Sequence, residues 1–210
     1  RLAEELRVVA YDFRGNGRSD PPEGPVTMGT FVDDTVGLMD QLGIGSAHVY
    51  GQSLGGMVAQ EIALAHPGRV RSLILAATHP GRQHAVPVGG TVPKNRPWLG
   101  LYSPGFAESH PEHVREDLRA NAPQDPGAAR RQWEAMRDFD AWDRLPGLRV
   151  PTLVLHGTED RTISAENARS LAERIPGARL HLLEGAGHVY HSERPEEADA
   201  AVLGFIRSLG

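Results

Sequence analysis

Short apolar runs alternate along this chain with longer stretches in which apolar residues return every three or four positions. The short runs predict strands over 7–11, 47–50, 70–77, 150–155 and 179–183, each apolar and too short for a helix. Pro151 is tolerable there because it falls at the start of its strand. The periodic stretches predict helices. One covers 28–42, with Met28, Phe31, Val32, Leu38, Met39 and Leu42 on its apolar face and Gly43 as its stop. A second carries Met57, Val58, Ile62 and Leu64 and ends before Pro67. A third covers 165–175, with Ser164 as its N-cap. The last starts near Pro195 and buries Val202, Phe205, Ile206 and Leu209. Residues 2–6 read as a short helix leading into the first strand. Strands alternating with helices predict an α/β fold whose sheet is mostly parallel.

The alternation lapses between Thr78 and about Leu145. Residues 80–105 are dense in Pro and Gly and predict a surface excursion. Helical periodicity returns near 108–121 and 126–144, where Trp133, Met136, Phe139 and Trp142 fall. These aromatics are expected mainly to pack the segment onto its neighbours. Trp133 and Met136 are candidates for a substrate pocket. The division expected is a core of 1–78 and 146–210 with an insertion at 79–145.

Gly51-Gln52-Ser53-Leu54-Gly55 lies between the strand 47–50 and the helix after it. A serine on a tight strand-to-helix turn is raised out of the sheet, and flanking glycines remove side chains that would collide across it. A serine there could also merely cap the helix. The strand-turn-helix context favours a nucleophile, with Gln52 beside it as a pocket candidate. A serine hydroxyl needs a base, and an imidazole needs a carboxylate to steady its charged form. Two strand ends supply such groups. His156-Gly157-Thr158-Glu159-Asp160 follows the strand 150–155, and Gly185-Ala186-Gly187-His188 follows 179–183. The acid could be Asp160 or Glu159, and the base His188 or His191. His48, His66 and His156 are expected to be structural, and His110 and His113 to face solvent.

Composition narrows the classes. A net charge of −5 gives no electrostatic reason to expect nucleic acid or an anionic membrane. No apolar stretch is long enough to predict a transmembrane helix. With no cysteine, disulfides, thiolate nucleophiles and cysteine zinc sites are excluded, and the cytoplasm is the default compartment. His188-x-x-His191 is half a metal site at most, so neither metal nor cofactor is expected.

Four motifs carry a resemblance over essentially the whole chain: Asp12-Phe13-Arg14-Gly15-Asn16-Gly17-Arg18-Ser19, Gly51-Gln52-Ser53-Leu54-Gly55-Gly56, Gly157-Thr158-Glu159-Asp160 and Gly185-Ala186-Gly187-His188. In this order they resemble the α/β-hydrolases. The resemblance implies the α/β-hydrolase fold, a mostly parallel sheet with flanking helices and a small helical cap. It selects Asp160 over Glu159 as acid and His188 over His191 as base, with Ser53 as nucleophile. It also implies Leu54 as a backbone oxyanion donor. The sequence is most similar to 3-oxoadipate enol-lactonases and carboxylesterases, which implies a small ester or lactone as substrate.

The resemblance also implies three earlier strands and a His-Gly oxyanion loop that these residues do not include, leaving the core N-terminally incomplete. One implied strand would lie between 7–11 and 47–50. Three expectations follow: a fragment of a longer hydrolase, a remnant whose exposed sheet edges associate with a partner or a second copy, and a binding protein or receptor that hydrolyses little.

Overall fold

Four strands make one sheet in the order β1 (Ala47–Gln52), β2 (Val70–Ala76), β3 (Thr152–Gly157) and β4 (Arg179–Leu183), with every neighbouring pair parallel. These coordinates come from a computed structural model that describes residues 2–89, 92–93, 95–120 and 126–210. Parallel strands need crossover connections, and helices supply them. α1 (Leu2–Glu5) and α2 (Met28–Gln41) precede the sheet, and α3 (Leu54–Ala65) joins β1 to β2. Between β2 and β3 run α4 (Pro104–Ser109), α5 (Pro111–Ala120) and α6 (Pro126–Arg137). α7 (Glu166–Arg174) joins β3 to β4, and α8 (Tyr190–Glu193) and α9 (Pro195–Arg207) close the chain.

Side chains of the inner strands alternate between two cores, as the two-residue period of a strand requires. Leu73, Leu75 and Val154 join Phe31, Ile62 and Leu171 on one face. Ile74, Leu153 and Leu155 join Tyr190, Val202 and Phe205 on the other. Both faces are thus covered, which accounts for the continuous apolar runs of β2 and β3.

Several expectations need correcting. Residues 7–11 form no strand among the described residues: they are extended and exposed, with Val8 at 50 % and Val9 at 44 %. A strand needs a ladder partner, and β1 does not reach them. A cavity of about 410 Å³, lined by Val8, Val9, Tyr11, Val49 and Tyr50, lies between. β1 is accordingly an edge strand rather than a buried one, with Tyr50 41 % exposed.

The helical stretch predicted near 108–121 is two helices, α4 and α5, divided at His110-Pro111 because a residue before proline is pushed out of helical geometry. That predicted for 126–144 ends at Arg137, and Asp140 instead makes an isolated bridge to Gly81. α7 starts one residue later than expected: Ala165 is its N-cap, and Ser164 Oγ accepts from Glu166 N at 3.3 Å. Ile206 in α9 and Leu209 just beyond it are only half-buried, while Leu203 is buried. Residues 90, 91 and 94 of the predicted excursion, and residue 121 of the first helical stretch, lie outside the described residues.

The loop 12–20 is a hydrogen-bonded turn with Gly15 and Gly17 at positive φ. Arg18 N donates to Asp12 Oδ2 at 3.0 Å, Ser19 Oγ donates to Asp12 O at 2.6 Å, and Arg14 pairs with Asp34.

Candidate active site

Because all four strands run the same way, their carboxyl ends share one rim of the sheet. Ser53 follows β1, Thr78 follows β2, Asp160 follows β3 and His188 follows β4.

Ser53 sits at φ 54° and ψ −118°, a conformation that costs a non-glycine residue of order 1–3 kcal/mol. Its backbone is held there from both sides. Ser53 N donates to Ala76 O at 2.9 Å, and Ser53 O accepts from Gly56 N, Met57 N and Thr78 Oγ1, the last at 2.8 Å. The turn is crowded at Gly51, where a Cβ would meet Gly55 O at 2.1 Å. Gly55 itself faces open space, so only the first glycine of the motif prevents a collision across the turn. Gly56 is crowded in its turn by Thr78. Leu54 is the first residue of α3, so its N–H has no partner within the helix and the positive end of the helix dipole coincides with it.

Asp160 and His188 meet directly, with His188 Nδ1 2.7 Å from Asp160 Oδ2. Both are buried, at 6 % and 4 % exposure. Asp160 Oδ1 accepts from Thr162 N at 2.7 Å and Ile163 N at 2.8 Å. Burial pushes the Asp160 carboxyl up, but the donors on His156 and His188 outweigh it and hold the group down to about 2. Glu159 is exposed and contributes nothing to this contact.

Among the described residues Ser53 Oγ makes no hydrogen bond, to His188 or to any other group. The two are tied through Gln52, whose Nε2 donates to His188 O at 2.7 Å. Gln52 is thus a strut between β1 and the loop after β4 rather than a wall of the serine's pocket. Ser53 opens instead into a cavity of about 380 Å³ that also has Met57, Trp133, Met136, Arg82 and Arg137 on its walls. Trp133 is 68 % exposed at the cavity mouth. Phe139 is buried in the core, and Trp142 stacks with His84 and carries the Arg174 guanidinium over its ring.

A model of the family described as the α/β hydrolase fold matches residues 1–195. The chain belongs to the α/β-hydrolase fold family. Its relatives include a candidate carbamate hydrolase, RutD, of Caulobacter sp. strain K31, 31 % identical over 98 % of this chain and 82 % of that protein. The 3-oxoadipate enol-lactonase 2 of Acinetobacter baylyi is 29 % identical over 93 % of this chain and 76 % of that protein. Among solved structures, the enol-lactonase of Burkholderia xenovorans LB400 matches with a TM-score of 0.85 at 28 % identity, covering 98 % of this chain and 83 % of that one. Both of these relatives and the solved enol-lactonase are named as hydrolases, and no described helix of this chain is long and apolar enough to cross a membrane.

Two features of the α/β-hydrolase site lay outside the sequence reading. His156, expected to be merely structural, places Nε2 2.9 Å from Asp160 Oδ2. Its signal was a histidine inside an apolar strand, since a buried polar ring must find a partner. Glu193 accepts from Ser103 N and Oγ and from Gly187 N, fastening the loop that carries His188 to the start of α4. No local pattern marks it, because its Ser103 partner lies 90 residues away.

Proposed function

We propose that this chain is a serine hydrolase that cleaves a small ester or lactone through an acyl-enzyme on Ser53, with His188 as base and Asp160 as its acid. The observation that carries the reading is the buried His188–Asp160 hydrogen bond on the same rim as a serine pinned at positive φ. In the first step Ser53 Oγ attacks the acyl carbonyl carbon while His188 Nε2 takes its proton. The oxyanion that develops is stabilised by Leu54 N–H. When the acyl C–O bond breaks, the imidazolium returns that proton to the leaving oxygen. Water, deprotonated by the same imidazole, then attacks the acyl carbon, the acyl–Oγ bond breaks, and the imidazolium returns its proton to Ser53 Oγ as the acid leaves.

Two further features support a narrower substrate class. Arg82 and Arg137 lie on the walls of the Ser53 cavity. Arg137 is paired with Asp138, whereas the Arg82 guanidinium has no hydrogen-bonding partner among the described residues. Burial, helped by the charge of Arg82, holds the nearby His79 imidazole below its ordinary range. A substrate carrying a carboxylate would find a cation waiting there. Residues 79–145 act as the cap over 1–78 and 146–210 in this reading, and the cytoplasm is the compartment we assign. We also assign self-association to the exposed edge of β1.

Ser53→Ala should abolish turnover of a short-chain aryl ester, and an Arg82→Ala variant should raise KM for carboxylate-bearing enol-lactones but not for neutral esters. Near-parental turnover in Ser53→Ala would sink the acyl-enzyme. The second reading, a ligand-binding protein that hydrolyses little, is favoured by one observation, the lack of a Ser53–His188 hydrogen bond. Tight ligand binding without an acyl-enzyme burst would support it.

A further inference from the structure

Asp160 Oδ2 receives two imidazoles. His188 Nδ1 lies 2.7 Å away and His156 Nε2 2.9 Å away. With Thr162 N and Ile163 N on Oδ1, the carboxylate is surrounded by four donors, about as many as its lone pairs can take. We propose that His156 is a positioning residue for the hydrolytic reaction, holding Asp160 by an Nε2–H hydrogen bond so that Oδ2 faces His188.

The tautomer follows from the partners. His156 Nε2 lies 2.9 Å from both Asp160 Oδ2 and Ile163 O, and both are acceptors, so the ring proton belongs on Nε2. His156 Nδ1 is buried without a partner among the described residues, which a bare lone pair tolerates better than an N–H donor would. His156 is wholly buried at the end of β3, so its ring cannot swing away without opening the sheet end. It therefore does two things for His188. It blocks rotation of the Asp160 carboxylate, and it draws charge from the oxygen that His188 shares. Around the pair lie His191, which feels His188, Asp117 and Asp199, and Glu193, whose Oε1 accepts from Gly187 N. Arg161 next to Asp160 is turned to Leu99 O.

This inference rests on the acyl-enzyme reading for its kinetic arm, and its test has a second arm that does not. His156→Phe fills the same space without a donor, and His156→Gln returns an N–H near the position of Nε2. For the Phe variant the expected loss in kcat/KM is about tenfold, the worth of one charge-assisted hydrogen bond, with KM little changed. Its acid limb should move to higher pH, because charge left on Oδ2 favours the imidazolium of His188. The Gln variant should recover both rate and limb. A folded Phe variant with parental kcat and pH profile would overturn the proposal. Independently, 15N NMR of the unaltered chain should find the His156 proton on Nε2, and a proton on Nδ1 would overturn it even if no variant folds. Should Ser53→Ala keep its turnover, the acyl-enzyme reading falls while the NMR result still decides the tautomer.

Discussion

At the scale of single residues, the Ser53 turn separates what a motif implies from what the backbone requires. The two glycines of Gly51-Gln52-Ser53-Leu54-Gly55 look equivalent in the sequence, and sterically they are not. A methyl at position 51 would sit 2.1 Å from Gly55 O, a backbone atom that cannot swing aside. At position 55 it would meet nothing within 4 Å. Gly51→Ala is therefore expected to lose about 3 kcal/mol, as overpacking against backbone does, or to unfold the turn outright. Gly55→Ala should range from neutral to about 1 kcal/mol more stable, since alanine suits a helix better than glycine. Urea midpoints of the two variants check the contrast, and equal losses would refute it. Asp160 and His188, which the structure brings to 2.7 Å, stand at strand ends that the apolar pattern located, but only the resemblance chose them over Glu159 and His191. His156 was not legible: its role comes from a hydrogen bond made in space, although it lies only four residues before Asp160.

Elements were legible where the apolar period was long and uninterrupted. β4 has the bounds its pattern predicted, and α9 begins at the proline that marked it. Where proline and histidine break the period, between α4 and α5, two helices were read as one. α8, a single turn of four residues, has no sequence pattern of its own, yet it carries the contact that joins the start of α4 to the loop before His188. Glu193 at its end accepts from Ser103 N at 2.9 Å, Ser103 Oγ at 2.6 Å and Gly187 N at 3.1 Å. Val189 N adds a bond to Leu101 O across the same seam. Glu193→Ala would strip two backbone N–H groups of their acceptor, and we expect a loss of about 2–3 kcal/mol. Turnover should fall with it, because the loop it releases carries His188. Glu193→Gln keeps one carboxamide oxygen as acceptor and should fall between the two. Thermal unfolding and ester turnover measured on the same preparations check this, and a destabilised Ala variant with full turnover would show that the clamp supports the fold alone.

Over the whole molecule, the sequence pattern could register that 7–11 is apolar but not that its neighbour would be out of reach. Hydrophobicity is local, whereas a strand exists only through its partner. The outcome is a sheet whose β1 edge faces a cavity of about 410 Å³ instead of another ladder. Val8, Val9, Tyr11, Leu42 and Tyr50, all more than a third exposed, line that one cavity. Scattered exposed apolar residues need no explanation, but five around one unpaired strand edge make a surface suited to pairing. A second copy of the chain could add its own β1 edge there, where main-chain hydrogen bonds and apolar burial would act together. Sedimentation velocity over a wide concentration range should then show mass rising with concentration. Val8→Lys together with Val9→Lys should hold the chain monomeric, because charge beside an edge opposes strand addition at little cost to two exposed sites. Amide hydrogen exchange locates the contact: protection along 47–52 should increase on association and be lost in the double variant. Monomeric behaviour of the parent at every concentration, or association that the two lysines leave untouched, would rule out this edge as the interface.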